Sequence, residues 1–209
     1  MAAVPSARLK IVAISGNTHR PSRSWNLAEL IARRVQAHVP ANIIHYDIID
    51  AGAGLAGAYL RNQLGSEALE IIEAIERADI LVVTSPVYKG SYTGLFKHLF
   101  DFVEFEALIG RPVILSASGG GQRHSLMVEH QLRPLFGFFS ALTIPTAIYA
   151  EDTSFTGGEP TDPTILARIE LAATQCAALV NSGATSHPRS QFSVSADQVT
   201  SERIVPLKR

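Results

Sequence analysis

The chain has 209 residues, 46% of them apolar and 18% charged, with a formal net charge of -1 and an isoelectric point near 6.7. That length supports one well-filled α/β core and is short for two. The near-neutral charge, with no block of like sign, excludes the electrostatic footprint of a nucleic-acid or anionic-membrane binder and leaves small molecules or protein partners.

The start, MAAVPSARLKIVAISG, lacks the longer apolar core of a signal peptide. A first strand is expected at residues 9–14, apolar almost throughout. The loop behind it reads SGNTHRPSRS, residues 15–24. It sets the hydroxyls of Ser15, Thr18, Ser22 and Ser24, the Asn17 amide and the guanidinium groups of Arg20 and Arg23 around the start of a helix. The free N–H groups of a helix N-terminus favour an anion, so the loop is expected to hold a phosphate. Ser22 or Ser24 as a plain helix cap is the alternative. The dinucleotide fingerprint GxGxxG is absent, since Asn17, Thr18 and Arg20 stand where its glycines would be.

The helix at 24–39 carries Leu27, Leu30, Ile31 and Val35 at helical spacing. A second strand follows at 42–48, a helix at 66–77 and a third strand at 80–84. That strand ends in SPVYKGSYTG, residues 85–94, more hydroxyl and aromatic groups than a mere turn needs. A helix is expected at 94–103, a fourth strand at 112–117, and then Ser118 with GGGQRH, residues 119–124. Glycines at 119, 120 and 121 let backbone N–H groups approach a flat ring, unless the segment is only a flexible loop. The helix at 125–142 contains Pro134 and Gly137, so it is expected to kink or to carry a π-bulge. A fifth strand is expected at 143–149 and a last helix at 163–180. The longest uncharged stretch, 134–150, is interrupted by two prolines and falls short of a bilayer span. The one cysteine, Cys176, sits in the last helix without an intrachain partner, which fits a reducing compartment and the cytoplasm. The expected domain is 1–181; residues 182–209 read as a polar tail, flexible or laid on a neighbour.

Five strands alternating with helices predict a flavodoxin-like α/β fold. Its parallel sheet has the order 2-1-3-4-5, helices on both faces, and a ligand at the carboxyl edge where the order reverses. There the loops 85–92 and 118–124 flank whatever the first loop holds. A flat, phosphorylated ligand fits, with Pro86 fixing the backbone, Tyr88 offering a ring, and the amides of Val87 and Tyr88 reaching a flavin rim. Tyr92 reads equally as a packed helix entry. No metal is expected, because His124 and His130 are six apart without a third ligand at helical spacing.

SGNTHRPSRS, SPVYKGSYTGLFKHLFDFV and ASGGGQRHSLMVEHQLRP together resemble the NAD(P)H-dependent FMN reductases, most closely those of two-component alkanesulfonate and methanesulfonate monooxygenase systems. The resemblance implies non-covalent FMN, reduction by NADH or NADPH with no acid–base residue required, and delivery of reduced flavin to a partner monooxygenase. It assigns Ser15, Ser22, Arg23 and Ser24 to the phosphate. Pro86, Val87, Tyr88, Lys89 and Tyr92 fall to the ring region, and Gly119, Gly120 and Gly121 to the dimethyl or pyrimidine side. Asn17 and His19 depart from those relatives. It also implies that His130 is an inserted π-helix residue at a tetramer interface near the flavin, governing flavin release; a partly buried structural histidine is the plainer alternative. Two other functions share these loops: an FMN-holding quinone, azo or chromate reductase, and a flavodoxin-type carrier, against which the charge of -1 argues. The apolar excess in 95–103 and 135–139 predicts a homodimer or homotetramer.

Overall fold

A computed structural model describes residues 8–183. Strands β1 (Leu9–Ser15), β2 (Ala41–Asp47), β3 (Ile80–Pro86) and β4 (Pro112–Gly119) form a parallel sheet in the order β2-β1-β3-β4, closed at the far edge by β5 (Leu142–Thr143) and β6 (Ile148–Glu151). The expected 2-1-3-4-5 order is found, with one correction. The fifth strand is two short pieces, both paired to β4, and not one run. Pro145 has no N–H to give to a ladder, and the next amide, Thr146, donates to Gln175 Oε1 at 3.1 Å.

Side chains on the central strands alternate between two cores. Val12, Ile14, Leu81, Val83, Val113 and Leu115 face one way, against α2 (Gly52–Ala56), α3 (Ser66–Glu76), α4 (Gly94–Phe100) and α5 (Arg133–Phe138). Ile11, Ala13, Ile80, Val82 and Ile114 face the other, under α1 (Arg23–His38) and α6 (Pro163–Asn181). Period-2 burial on both sides is why these strands read as continuous apolar runs. Helix α6 is long and apolar enough to cross a membrane, but it buries Ile165, Ile169, Ala172, Ala173, Cys176 and Ala177 in the second core. Burial pushes the Cys176 thiol up to about 12.

The helix expected at 125–142 begins as a π-helix, Val128–Leu132, which closes with Arg133 N–H donating to Val128 O, and it ends at Phe138. Pro134 falls in the first turn of α5, where a missing N–H is tolerated. A small hairpin, β7 (Phe155–Thr156) and β8 (Glu159–Pro160), was not anticipated. The tail expected at 182–209 lies, past residue 183, outside the described residues.

Candidate functional site

The loop between β1 and α1 is anchored at its base. Gly16 N–H donates to Thr84 O at 2.7 Å, Thr93 Oγ1 donates to Gly16 O at 2.8 Å, and a Cβ on Gly16 would lie 3.0 Å from Ser85 Oγ. Beyond it, Asn17 is 1% exposed. Its Nδ2 donates to His19 O at 3.0 Å and to Asp47 Oδ2 at 2.9 Å. Both partners accept only, which fixes the amide orientation and leaves Oδ1 without a partner. The Asn17 side chain therefore has no amide donor left for a phosphate, and its Oδ1 is itself buried.

Asp47, at the end of β2, has a fully buried side chain. It accepts from Arg20 Nε and Nη2, both at 2.7 Å, and from the amides of Ile49 at 2.9 Å and Asp50 at 3.2 Å. Burial alone would raise its pKa, but the bonds from Arg20 and Asn17 outweigh it and hold the carboxyl below the usual range. Arg20 also donates to Asp50 Oδ1 at 2.6 Å, and its two carboxylate bonds push its pKa further up. The guanidinium expected to face a phosphate is thus turned to two carboxylates at the end of β2 and in the turn after it. Its Cζ lies 5.4 Å from the Trp25 ring, which stacks on His45 at 3.5 Å.

At the helix start, Ser22 Oγ accepts from Trp25 N–H at 3.3 Å, so Ser22 is the cap. Ser24 Oγ shares a 2.7 Å hydrogen bond with Ser118 Oγ, joining the first loop to the end of β4. Arg23 pairs with Asp152, in the turn after β6, and its Cζ lies 5.9 Å from the Phe155 ring. Ser15 is buried beneath the loop with Oγ unpartnered, and Thr18 is exposed.

The loops after β3 and β4 do meet. Val87 N–H donates to Ser118 O at 2.8 Å, and Tyr88 N–H to Ser91 O at 2.9 Å, so the two amides expected at a flavin rim are taken within the chain. Lys89 and Gly90, at φ 53° and 86°, form a two-residue hairpin tip, which needs two positive φ values. Gly119 answers to the chain's own packing, because a Cβ there would lie 2.5 Å from Tyr149 Oη. That hydroxyl donates to Gly121 O at 2.7 Å. Gly120 and Gly121 face open space.

A cavity of about 580 Å³ lies between these loops, within the range of small-molecule sites. Of the expected residues it is lined by Asn17, Ser22, Arg23, Ser24, Pro86, Val87, Tyr88, Ser118 and Gly119. Ser15, Thr18, Lys89, Tyr92, Gly120, Gly121 and His124 are not in its wall. His19, Pro21, Asn26, Asp152, Gly157 and Gly158 line it unanticipated. The last two turn the β7–β8 hairpin, which Asn26 Nδ2 ties to α1 through Gly158 O at 3.0 Å and Glu159 Oε1 at 2.9 Å. Tyr92 packs on Phe96 and borders a second, apolar cavity of about 540 Å³ with His130, Leu135, Phe138 and Phe139. His130 is exposed on the π-helix, as is Phe138 beyond it, at 66%.

One wall is a capped helix N-terminus bearing an arginine and serines; the facing wall is Pro86, Val87 and Tyr88. Residues 9–156 match the family of NADPH-dependent FMN reductases, and the chain belongs to it. It is 44% identical over 174 residues to the NADH-dependent FMN reductase SfnF of Pseudomonas fluorescens, covering 83% of this chain and 93% of that one. It is 44% identical over 170 residues to an FMN reductase (NADPH) of Pseudomonas aeruginosa, covering 81% and 91%. Among solved structures, an oxidoreductase from Corynebacterium diphtheriae superposes with a TM-score of 0.77 at 32% identity, over 85% of this chain and 99% of that one.

Proposed function

We propose that residues 1–181 form one FMN reductase domain that binds FMN in the 580 Å³ cavity, reduces it with NADH or NADPH, and releases the reduced flavin to a partner monooxygenase. The observation that carries the reading is the cavity itself. It joins the N-terminal turn of α1, with Ser22, Arg23 and Ser24, to the Pro86–Tyr88 segment in a chain of this family. A bound FMN supplies the redox chemistry, taking hydride from the nicotinamide. The chain's part is to orient and shield. The α1 N-terminus and Arg23 hold the phosphate, and Val87 and Tyr88 flank the ring.

The site of action is the cytoplasm, in keeping with an unpaired cysteine. The apolar cavity beside His130 and the exposed Phe138 form the seam of a homodimer or of a tetramer built from dimers. His130, in the π-helix, acts from that seam on flavin release. In this reading desalted protein is colourless and oxidises NADH or NADPH only when FMN is added. Deleting His130 restores a regular helix, changes the oligomer mass and leaves FMN bound, and His130→Ala does part of this. Yellow wild-type protein that turns over without added FMN would overturn the release step. Variants unchanged in colour and mass would overturn the role of His130.

A further inference from the structure

We propose that Asp152 competes with the flavin phosphate for Arg23, so that it weakens FMN binding selectively and speeds FMN release. The proposal rests on the flavin-site reading above. Arg23 is the first residue of α1, a helix with no acidic side chain in its first turn. A cation at that end opposes the helix dipole, and an anion beside it relieves the conflict. In this structure that anion is the carboxylate of Asp152, which lines the same cavity as Arg23.

The pair is built to yield. Its side chains are 48% and 56% exposed, and exposed ion pairs contribute little. A phosphate monoester carries close to two charges at neutral pH and accepts bidentately from a guanidinium, so it is the stronger partner. When FMN enters, Arg23 turns to the phosphate and Asp152 is left uncompensated beside a second anion. When FMN leaves, Asp152 takes Arg23 back, and no bare cation remains at the helix start. Riboflavin has no phosphate and leaves the pair untouched. The hairpin keeps Asp152 within reach: Asn26, one turn along α1 from Arg23, holds Gly158 and Glu159, and Phe155 lies under the guanidinium.

The test is titration of FMN and riboflavin by flavin fluorescence at low and high salt, with FMN release by stopped flow. The proteins are wild type, Asp152→Asn, Asp152→Glu, Arg23→Ala, Tyr88→Ala and the double variant Arg23→Ala/Asp152→Asn. Asp152→Asn is expected to bind FMN about fivefold more tightly and release it about fivefold more slowly, with riboflavin unmoved. Asp152→Glu behaves as wild type, and the gain disappears at high salt and in the double variant. If Asp152→Asn leaves FMN affinity unchanged or weakens it while Arg23→Ala still weakens FMN alone, the competition is wrong and the site stands. If Arg23→Ala and Tyr88→Ala leave both flavins unaffected, the flavin lies elsewhere and the inference falls with the site.

Discussion

Arg20, in the loop before α1, and Arg23, the first residue of α1, stand three residues apart and each pairs with an aspartate, yet the two pairs do opposite work. Arg20 forks onto Asp47, whose side chain is fully buried and also receives Asn17 and two backbone amides. Arg23 meets Asp152 in the open, where both side chains are about half exposed. The two guanidinium groups are equally exposed, and the difference lies in the carboxylate: the pair becomes a lock where the aspartate is buried and multiply bonded, and an exchangeable latch where it too faces water. The inner half of the loop is thereby held fixed while its outer end stays free for a ligand.

The largest effect should come from breaking the lock. Asp47→Ala takes the acceptor from the Ile49 amide and one of two acceptors from Asn17 Nδ2 and the Asp50 amide, while half-exposed Arg20 can turn to water, so the loss is expected at the lower end for a buried pair, about 3 kcal/mol. Urea unfolding at neutral pH measures it, and high salt should change it little. The pH dependence has a definite sign. The folded pKa of Asp47 is depressed, so its contribution is present above its ordinary 3.8 and is lost as pH falls through the folded value. A loss below 1 kcal/mol would mean that the loop keeps its shape without Asp47.

A middle-sized effect lies beside the lock, where His45 stacks on Trp25 with neither ring nitrogen partnered. Burial lowers its pKa from 6.5 to about 4, against the pull of Glu29, Asp47 and Asp50. Between those values the unfolded chain binds the extra proton, so stability falls as pH drops through that window, by about 2 kcal/mol at pH 5. His45→Phe keeps a ring against Trp25 and should flatten the stability profile from pH 7.5 to 5, leaving the Asp47 limb below pH 4 intact. An unaltered profile would place the acid sensitivity elsewhere.

What was legible in the chain divides along similar lines. The strands β1, β3 and β4 announce themselves in contiguous residues through unbroken apolar runs, and the body of α1 through apolar residues at helical spacing, while the choice of Ser22 over Ser24 as its cap does not. The irregularity of the helix around Pro134 announces itself too, because that residue lacks an N–H; the structure meets it with the π-helix Val128–Leu132 just before it. The pairing of Arg23 with Asp152 spans 129 positions, and that of Arg20 with Asp47 spans 27. No local pattern distinguishes either arginine from one that faces a phosphate. The β7–β8 hairpin carries only half a signal: Gly157-Gly158 suits a two-residue turn, but Glu159 and Pro160 on its far side are poor strand formers. The amides of Val87 and Tyr88 were misplaced because their acceptors, Ser118 O and Ser91 O, are set by the folded ends of two strands and a hairpin.

The smallest effect is the sharpest test of the comparison. Arg23→Ala removes an exposed pair and a 5.9 Å contact with the Phe155 ring, but it also removes a cation from a helix N-terminus, where it opposes the dipole. These terms nearly cancel, and the change in unfolding free energy should stay within about 0.5 kcal/mol in either direction. Whatever remains should shrink with added salt, unlike the loss in Asp47→Ala, because exposed charges are screened and buried ones are not. Urea unfolding of both variants at low and high salt makes the comparison directly. If Arg23→Ala destabilises the fold as much as Asp47→Ala does, the outer pair is also a lock, the loop moves as one rigid unit, and a ligand phosphate has no free arginine to draw across.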